Sequence, residues 1–318
     1  MSVDELATAL GSAGKELRAG GELRAGGTDV TARHRIGRAT GPFVDLRGVT
    51  SLRGVVRRPD GSVRIGAMTT VAELAADGAL RAGYPGLTAT AGALATPQIR
   101  AAGTVGGNLL QRNRCWYYRN PRFSCFQTGG DGCPARDGLH LYSTVIDQGS
   151  CVAPHPSSIA MALLAYDAHV EVHGRGRLPA GDLYGDGSDP GRDHLLAPAE
   201  VLLAVELPAP TAGERAAYHR AISRFEAEWP LVEAVARLVL DGTTVTAAAV
   251  AVGGVARTPL RLPAVEAALV GGEANAANLG AAGEAAAARC APLPQTGYKV
   301  ALLRDTVVEV LERAARVA

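Results

Sequence analysis

The sequence contains no uninterrupted apolar run approaching the roughly 20 residues that a membrane helix needs, so we expect no membrane span. An excess of charge of one sign is also absent, because 32 Lys and Arg residues stand against 31 Asp and Glu residues. A broad electrostatic surface for nucleic acid is therefore not expected. The first 20 residues alternate charged residues with Ala and Leu, without the apolar core of a secretory signal. We expect no export signal in this chain.

Aromatic residues are scarce, at 4%, whereas glycine is abundant, with 39 of 318 residues. Glycine lets the backbone approach a bound group closely, so this composition is typical of a site for a phosphorylated cofactor. Five cysteines in a chain without a signal peptide indicate thiols or metal ligands rather than a disulfide framework. A length of 318 residues is long for one core and predicts two or three packed domains.

Strand and helix signals alternate over the first hundred residues and predict an α/β architecture. The predicted strands are residues 22–25, 43–46 and 62–67, and the predicted helices are residues 1–20, 30–38, 70–80 and 87–94. Later segments are a helix at 159–166, a strand at 169–173, a surface loop at 174–198 and a strand at 201–207. A Pro-rich stretch at 208–213 then marks the domain boundary, followed by a hairpin (232–240 and 245–252) and an amphipathic closing helix from Val300 to Leu311.

Residues 111–151, which we call the cysteine segment, lack periodicity. They hold four of the five cysteines and six of the 14 aromatic residues. A loop of this length inside a compact domain is usually functional or disordered, and disorder does not favour aromatic residues. We therefore interpret the cysteine segment as an ordered insertion around a bound group.

Two glycine motifs carry a candidate cofactor site. Residues 25–30, Ala-Gly-Gly-Thr-Asp-Val, join a predicted strand to a predicted helix, where unobstructed backbone amides and the Thr28 hydroxyl can donate to a diphosphate. The alternative is a turn that only reverses the chain. Residues 104–108, Thr-Val-Gly-Gly-Asn, repeat this chemistry, and the two motifs together suit a dinucleotide. Neither motif is a phosphate-binding Walker loop or the GxGxxG of a Rossmann fold.

Cys115, Cys125, Cys133 and Cys151 follow the spacing C-x9-C-x7-C-x17-C. Four thiolates can hold an iron–sulfur cluster or a tetrahedral zinc ion, and the spacing alone does not choose between them or exclude four unlinked buried thiols. The nearby residues Arg112, Arg114, Arg119 and Arg122 could compensate an anionic cluster, and the aromatic rings could shield it. The fifth, Cys290, is expected to be a small core residue. No histidine pair has metal spacing and no nucleophile elbow is present, so we assign no catalytic residue.

Four segments together resemble the FAD-binding medium subunit of molybdenum hydroxylases, the superfamily of xanthine dehydrogenase, aldehyde oxidoreductase and carbon monoxide dehydrogenase. They are AGGTDV (25–30), VDLRGV (44–49), IGAMTTVAEL (65–74) and TPQIRAAGTVGGNLLQ (96–111). The cysteine segment narrows the match, because it is similar to the 4Fe–4S insertion of bacterial periplasmic-type aldehyde oxidoreductase medium subunits. The resemblance implies that Cys115, Cys125, Cys133 and Cys151 ligate a 4Fe–4S cluster.

The resemblance also implies a set of residues around FAD, in which Leu94 replaces a family aromatic residue, Arg220 replaces a lysine and Ser158 replaces an aspartate. A hydroxyl at position 158 could keep the hydrogen bond to the cofactor but not the charge. The implied residues are Leu23, Arg24, Ala25, Gly26, Gly27, Thr28, Asp29, Val30, Leu94, Thr104, Val105, Gly106, Gly107, Asn108, Ser158, Leu202 and Arg220.

The implied fold is α/β plus α+β: a two-subdomain FAD-binding domain like that of vanillyl-alcohol oxidase (1–206) and a smaller α+β C-terminal domain (207–318). The implied function is electron transfer within a heterotrimer that oxidises aldehydes or aromatic heterocycles. Its large subunit would hold molybdopterin, its small subunit 2Fe–2S clusters, and an external acceptor would take the electrons from FAD. The location would be cytoplasmic, or periplasmic if a partner subunit carries a twin-arginine signal. The alternatives are a stand-alone FAD oxidase and a zinc-stabilised interaction module without redox function.

Overall fold

The computed structural model describes residues 21–198 and 200–316. The predicted helix over 1–20 lies outside the described residues. The first unit is strand β1 (Glu22–Arg24), helix α1 (Val30–Arg35) and strand β2 (Phe43–Asp45), with β1 and β2 paired in parallel. This order confirms the predicted strand, glycine turn, helix and strand, although α1 ends at Arg35. Gly37, with φ +71°, turns the chain out of the helix there.

A five-stranded sheet follows, with the order β3-β4-β7-β5-β6. Its strands are β3 (Val55–Arg57), β4 (Val63–Gly66), β5 (His169–His173), β6 (Gly176–Pro179) and β7 (Val201–Leu207). Every described pairing within it is antiparallel, and parallel pairing among the described strands occurs only between β1 and β2. All seven residues of β7 are buried, which fits its position at the centre of the sheet.

The helix predicted over 70–80 is two helices, α2 (Val71–Ala76) and α3 (Gly78–Gly83). Asp77 divides them because its extended backbone ends α2 while its carboxylate accepts bonds from the Ala79 and Leu80 amides at the start of α3. The predicted helical conformation is therefore confirmed, but the prediction of one continuous helix was wrong. Three more helices follow: α4 (Pro85–Ala93), α5 (Pro97–Ala102) and α6 (Val105–Leu109).

The cysteine segment contains only short elements: α7 (Trp116–Arg119), a 3-10 turn (Phe126–Thr128) and α8 (Pro134–Asp137). Helix α9 (Ser158–Ala165) follows it and is buried along most of its length. The surface loop predicted over 174–198 was wrong, because β6 and a 3-10 helix (Ala180–Leu183) lie within it. Leu183 and Leu196 in this stretch join the core, which the Gly, Asp and Pro content of the segment conceals.

The C-terminal part is a four-stranded antiparallel sheet followed by three helices. Its elements are β8 (Glu214–Ala221), β9 (Val232–Asp241), β10 (Thr244–Gly253), β11 (Leu260–Arg261), α10 (Pro263–Leu269), α11 (Ala276–Ala287) and α12 (Tyr298–Arg316). The predicted hairpin is confirmed at β9–β10, with Gly242 at φ +59° in the turn. Leu303, Val307 and Val310 of α12 are fully buried in the core of this part, as the predicted amphipathic pattern requires. No helix among the described residues is long and apolar enough to cross a bilayer.

Candidate functional site

The glycine motifs lie on either side of one large cavity. We call residues 25–30 and 104–108 together the glycine cradle. The cavity has a volume of about 660 Å³, which is within the range of cofactor sites in proteins. Eleven of the predicted FAD-binding residues line it: Leu23, Ala25, Gly26, Gly27, Thr28, Asp29, Val30, Thr104, Gly106, Gly107 and Leu202.

The two loops of the cradle need glycine because neighbouring backbone lies against them. A Cβ atom added to Gly26 would lie 1.9 Å from the carbonyl oxygen of Ala102, and Gly27 has φ +78°. In the second loop, a Cβ at Gly106 would lie 2.9 Å from the Cβ of Ala67. The loops are thus held in place by close backbone packing, which leaves their surface toward the cavity free of side chains.

An adjoining cavity of about 180 Å³ continues from the same loops. It is lined by Leu94, Asn108 and Arg220, three predicted residues that do not reach the larger cavity. Thr28, Gly107 and their neighbours form the wall that both cavities share. The cradle therefore separates a larger space from a smaller one and borders both.

Three predicted residues, Arg24, Val105 and Ser158, line neither of these cavities. Ser158 is buried at the first position of α9, beside the carboxyl group of Glu233 from β9. Burial raises the pKa of Glu233 to about 7, and the hydroxyl of Tyr218 donates to its Oε2 at 2.8 Å.

Asp29 connects the cradle to the cysteine segment. Its carboxylate accepts from Arg119 at 2.8 Å and from Arg33 at 2.9 Å, and it pairs with Arg114 at 3.0 Å. Burial opposes ionisation, but Arg114 and Arg119 outweigh it and hold the pKa of Asp29 below its usual value. The Asp29 carboxylate therefore forms ion pairs with three arginines, two of which, Arg114 and Arg119, belong to the cysteine segment.

Asp193 is the buried anchor of the cysteine segment. Its carboxylate accepts from Arg112 Nε at 2.8 Å, Arg257 Nη1 at 3.1 Å, Gln127 Nε2 at 2.8 Å and the Asn113 amide at 3.1 Å. Burial opposes its charge, yet the two arginines keep its pKa well below the ordinary range. No sequence pattern pointed to Asp193, since it lies in a stretch predicted to be surface loop.

The four cysteines of the segment line one small cavity of about 20 Å³, together with Tyr117, Tyr118 and Phe126. The Asn113 side chain, held by Asp193, accepts from the Cys115 amide at 3.0 Å and so ties the first cysteine to the anchor. Burial raises the pKa of the Cys115 thiol, whereas a hydrogen bond from the Cys151 thiol lowers the pKa of Cys133. Among the described residues, no three His, Cys, Asp or Glu side chains converge on a single-ion position.

The expected arrangement of charge and aromatic rings around these cysteines is found only in part. Arg112, Arg114 and Arg119 are directed to Asp29 and Asp193, and Arg122 is exposed, so the arginines mainly neutralise carboxylates. Trp116 is 57% exposed and Phe123 is 41% exposed, so these two rings face solvent. Cys290, predicted to be a small core residue, is half-buried and packs against the edge of the C-terminal core rather than within it.

Two family profiles together match most of the chain. The sequence profile described as FAD binding domain in molybdopterin dehydrogenase matches residues 1–210, and that described as CO dehydrogenase flavoprotein C-terminal domain matches residues 216–317. The aldehyde oxidoreductase FAD-binding subunit PaoB of Escherichia coli K12 is 32% identical over 279 residues, covering 86% of this chain and 84% of that protein.

Two further comparisons concern carbon monoxide dehydrogenase of Hydrogenophaga pseudoflava. Its medium chain is 26% identical over 277 residues, covering 86% of this chain and 81% of that protein. A solved structure of that enzyme lacking the Mo-pyranopterin moiety matches with a TM-score of 0.75 and 27% identity, covering 100% of this chain and 96% of the matched chain.

Proposed function

The chain belongs to the family of FAD-binding medium subunits of molybdenum hydroxylases, and from that premise we propose that it binds FAD and a 4Fe–4S cluster and transfers electrons within a heterotrimer. The residues we assign to FAD are the 14 predicted residues that line the two cavities bordered by the glycine cradle. We place its domain boundary after residue 206.

The observation that carries the FAD assignment is the cradle itself. Gly26, Gly27 and Gly106 present backbone without side chains to a cavity of about 660 Å³, and this backbone is fixed by packing before any ligand arrives. A diphosphate can accept hydrogen bonds from such backbone amides. When bound, FAD supplies the redox chemistry, while the protein orients it and excludes water. Leu94, Asn108 and Arg220 border the smaller cavity, where we place the flavin ring.

The 4Fe–4S assignment is supported by the four cysteines that border one cavity. Zinc held by four thiolates at about 2.3 Å would gather the sulfurs around one point. A cube of four irons binds each thiolate at a different corner, so its ligands stand farther apart around a shared centre. All four of these thiols border this one cavity, and the resemblance of the segment to a 4Fe–4S insertion favours the cluster over zinc. When bound, such a cluster exchanges single electrons.

The substrate class follows from the relatives. An aldehyde oxidoreductase subunit is the relative that shares 32% identity over most of both chains, so we propose an aldehyde as the substrate. Its oxidation would take place on a large molybdopterin subunit, and a small 2Fe–2S subunit would pass the electrons to this chain. Co-purification with two such subunits is the expected result of expressing the chain in its native host.

Iron, acid-labile sulfide and flavin analysis of the purified chain tests the proposal. We expect one flavin, four irons and four sulfides per chain. Cys133→Ser should remove most of the iron and leave the flavin, whereas the matched Cys290→Ser should change neither, because Cys290 lies outside the cysteine cavity. A colourless chain with one zinc would show that the zinc-stabilised module is correct. Aldehyde turnover by the chain alone would instead identify a stand-alone oxidase.

A further inference from the structure

A third cavity, of about 330 Å³, lies between the glycine cradle and the cysteine segment. It shares Arg114, Glu228, Trp229 and Pro230 with the smaller cavity beside the cradle, and it reaches Cys115 on its other side. None of the predicted FAD-binding residues lines it. It is therefore a space next to both proposed cofactors that neither of them is expected to fill.

The rim of this cavity is apolar, aromatic and exposed. Trp116 is 57%, Tyr142 43% and Trp229 43% exposed, and Leu139 and Leu141 stand beside them. Trp116 and Trp229 are the two tryptophans of a sequence in which only 4% of residues are aromatic. The rings of Trp116 and Tyr142 meet at 5.4 Å, and the Arg114 guanidinium lies over Trp229 at 4.5 Å. An exposed apolar patch at the mouth of a pocket marks a binding site, and flat rings favour a flat ligand.

The floor of the cavity is polar and buried. His155 is 5% exposed, and its Nδ1 accepts from the Ser157 amide at 3.3 Å, which leaves the proton on Nε2. That Nε2–H has no hydrogen-bond partner among the described residues. Lys299 is 1% exposed, and its Nζ donates to the carbonyl oxygens of Gly254 at 3.0 Å and Tyr142 at 3.3 Å, which uses two of its three hydrogens. Both side chains therefore keep a donor for a ligand.

Glu233 is the third polar group on the floor, and the sheet makes room for it. It is paired across β9–β10 with Gly253, where a Cβ atom would lie 2.6 Å from the Glu233 carboxylate oxygen Oε1. The neighbouring residues of β9, Val232 and Ala234 to Ala236, are apolar and buried. The strand thus places a carboxyl group among apolar residues, and the absence of a side chain at Gly253 leaves the space that this group occupies beside the cavity.

We propose that this cavity binds a planar aromatic dicarbonyl compound of the quinone class, which serves as the external electron acceptor. Its ring would lie between the aromatic side chains of the rim, and one carbonyl oxygen would accept hydrogen bonds from Lys299 and His155 on the floor. This inference rests on the proposed electron-transfer function.

Reduction of a quinone to its hydroquinone consumes two electrons and two protons. The electrons are those that the proposed function delivers from the aldehyde, and the protons come from the two ionisable groups on the floor, which solvent reprotonates. Burial raises the pKa of Glu233 to about 7 and lowers the pKa of Lys299 to about 7, so both exchange protons near neutral pH.

Binding is tested by the fluorescence of the two tryptophans, both of which line the cavity. The purified chain is titrated with 2-methyl-1,4-naphthoquinone, and we expect quenching that saturates. Lys299→Met should weaken binding about tenfold, the cost of one lost hydrogen bond from a charged group, whereas Glu233→Gln removes a proton source but no hydrogen bond to the quinone and should bind it normally. Glu284→Gln, an exposed side chain on α11, is the matched control and should leave binding unchanged. Quenching that stays linear in quinone concentration and equal in all variants is collisional and would refute the site.

The acceptor role is tested separately in the assembled complex. Reoxidation of the substrate-reduced complex by the quinone should slow about tenfold in Lys299→Met, whereas reoxidation by ferricyanide, a small hydrophilic acceptor, should not change. Equal slowing with both acceptors, or with neither, would show that the cavity is not the acceptor site. Flavin content is measured on the same samples. Its absence would contradict the proposed function, while the fluorescence titration would still report on the cavity.

Discussion

The glycine cradle and the cysteine segment are held by different forces. In the cradle, Gly26 and Gly106 let uncharged backbone pack at close range, so the loops are fixed by neighbours that carry no charge. In the cysteine segment, regular structure is limited to three short elements. Its conformation depends on Asp29 and Asp193, two carboxylates that come from outside it and hold its arginines.

This difference teaches where each site is vulnerable. A loop built from close backbone packing is sensitive to the addition of a single methyl group at its glycines. A segment held by buried ion pairs is sensitive to the loss of a charge, because the partner cations are left unpaired away from water. Each of the following experiments separates the two.

Asp193→Asn is expected to have the largest effect. It removes a charge that Arg112 and Arg257 share, and breaking a buried pair in this way costs about 3–5 kcal/mol. Thermal unfolding should occur at a markedly lower temperature, and iron should be lost before flavin. The matched variant Asp189→Asn changes an exposed carboxylate nearby and should leave both measurements unaltered. Unchanged iron content in Asp193→Asn would show that the segment does not depend on this anchor.

Much of the cradle could be predicted from the sequence because its signals are local. Gly26, Gly27 and Thr28 follow a strand and precede a helix within a few residues, and the structure places both glycine motifs at one cavity. The resemblance added Leu94 and Arg220, which border the adjoining cavity. For the glycine cradle, sequence patterns within a few residues were therefore sufficient for the prediction.

The anchors of the cysteine segment could not be predicted in the same way. Asp193 lies 81 residues from Arg112 and 64 residues from Arg257, and its own segment has the composition of a surface loop. Its burial depends on the tertiary fold, which no local pattern contains. Asp77, which splits a predicted helix in two, was missed for a different reason: the Ala-rich flanks continue the helical pattern across it.

Gly26→Ala tests the cradle. The added methyl group would meet the Ala102 carbonyl oxygen, and relief requires the backbone of one loop to move, at a cost of about 3 kcal/mol. Flavin content should fall strongly while the four irons are retained, as measured by absorbance and iron analysis. Gly48→Ala is the control, since a Cβ there meets open space. Full flavin content in Gly26→Ala would contradict the proposed role of the loop.

Asp29→Asn tests the connection between the two regions. It removes the charge that Arg33, Arg114 and Arg119 share, leaving three cations close together, and we expect a loss of stability of about 2 kcal/mol. Because Asp29 belongs to the cradle and binds the segment, both flavin and iron should fall moderately. The exposed pair of Asp45 with Arg47 provides the control, and Asp45→Asn should change neither. A loss confined to one cofactor would show that the two regions are independent.

Lowering the pH is expected to have the smallest of these effects, and it should destabilise the cysteine segment before the glycine cradle. The pKa of Asp193 and that of Asp29 are lowered in the folded protein, because arginines outweigh the effect of burial. The stability they contribute is therefore present above about pH 4, the unfolded value, and is lost as the pH falls toward their folded values, by at most about 1.4 kcal/mol per pH unit for each group. Hydrogen exchange in residues 111–151 should lose protection between pH 4 and pH 3 by up to about tenfold for each group, while the backbone of residues 25–28 stays protected. Asp193→Asn should weaken this pH dependence, because it removes one of the two titrating groups. Equal loss of protection in both regions would show that acid acts on the whole fold rather than through these carboxylates.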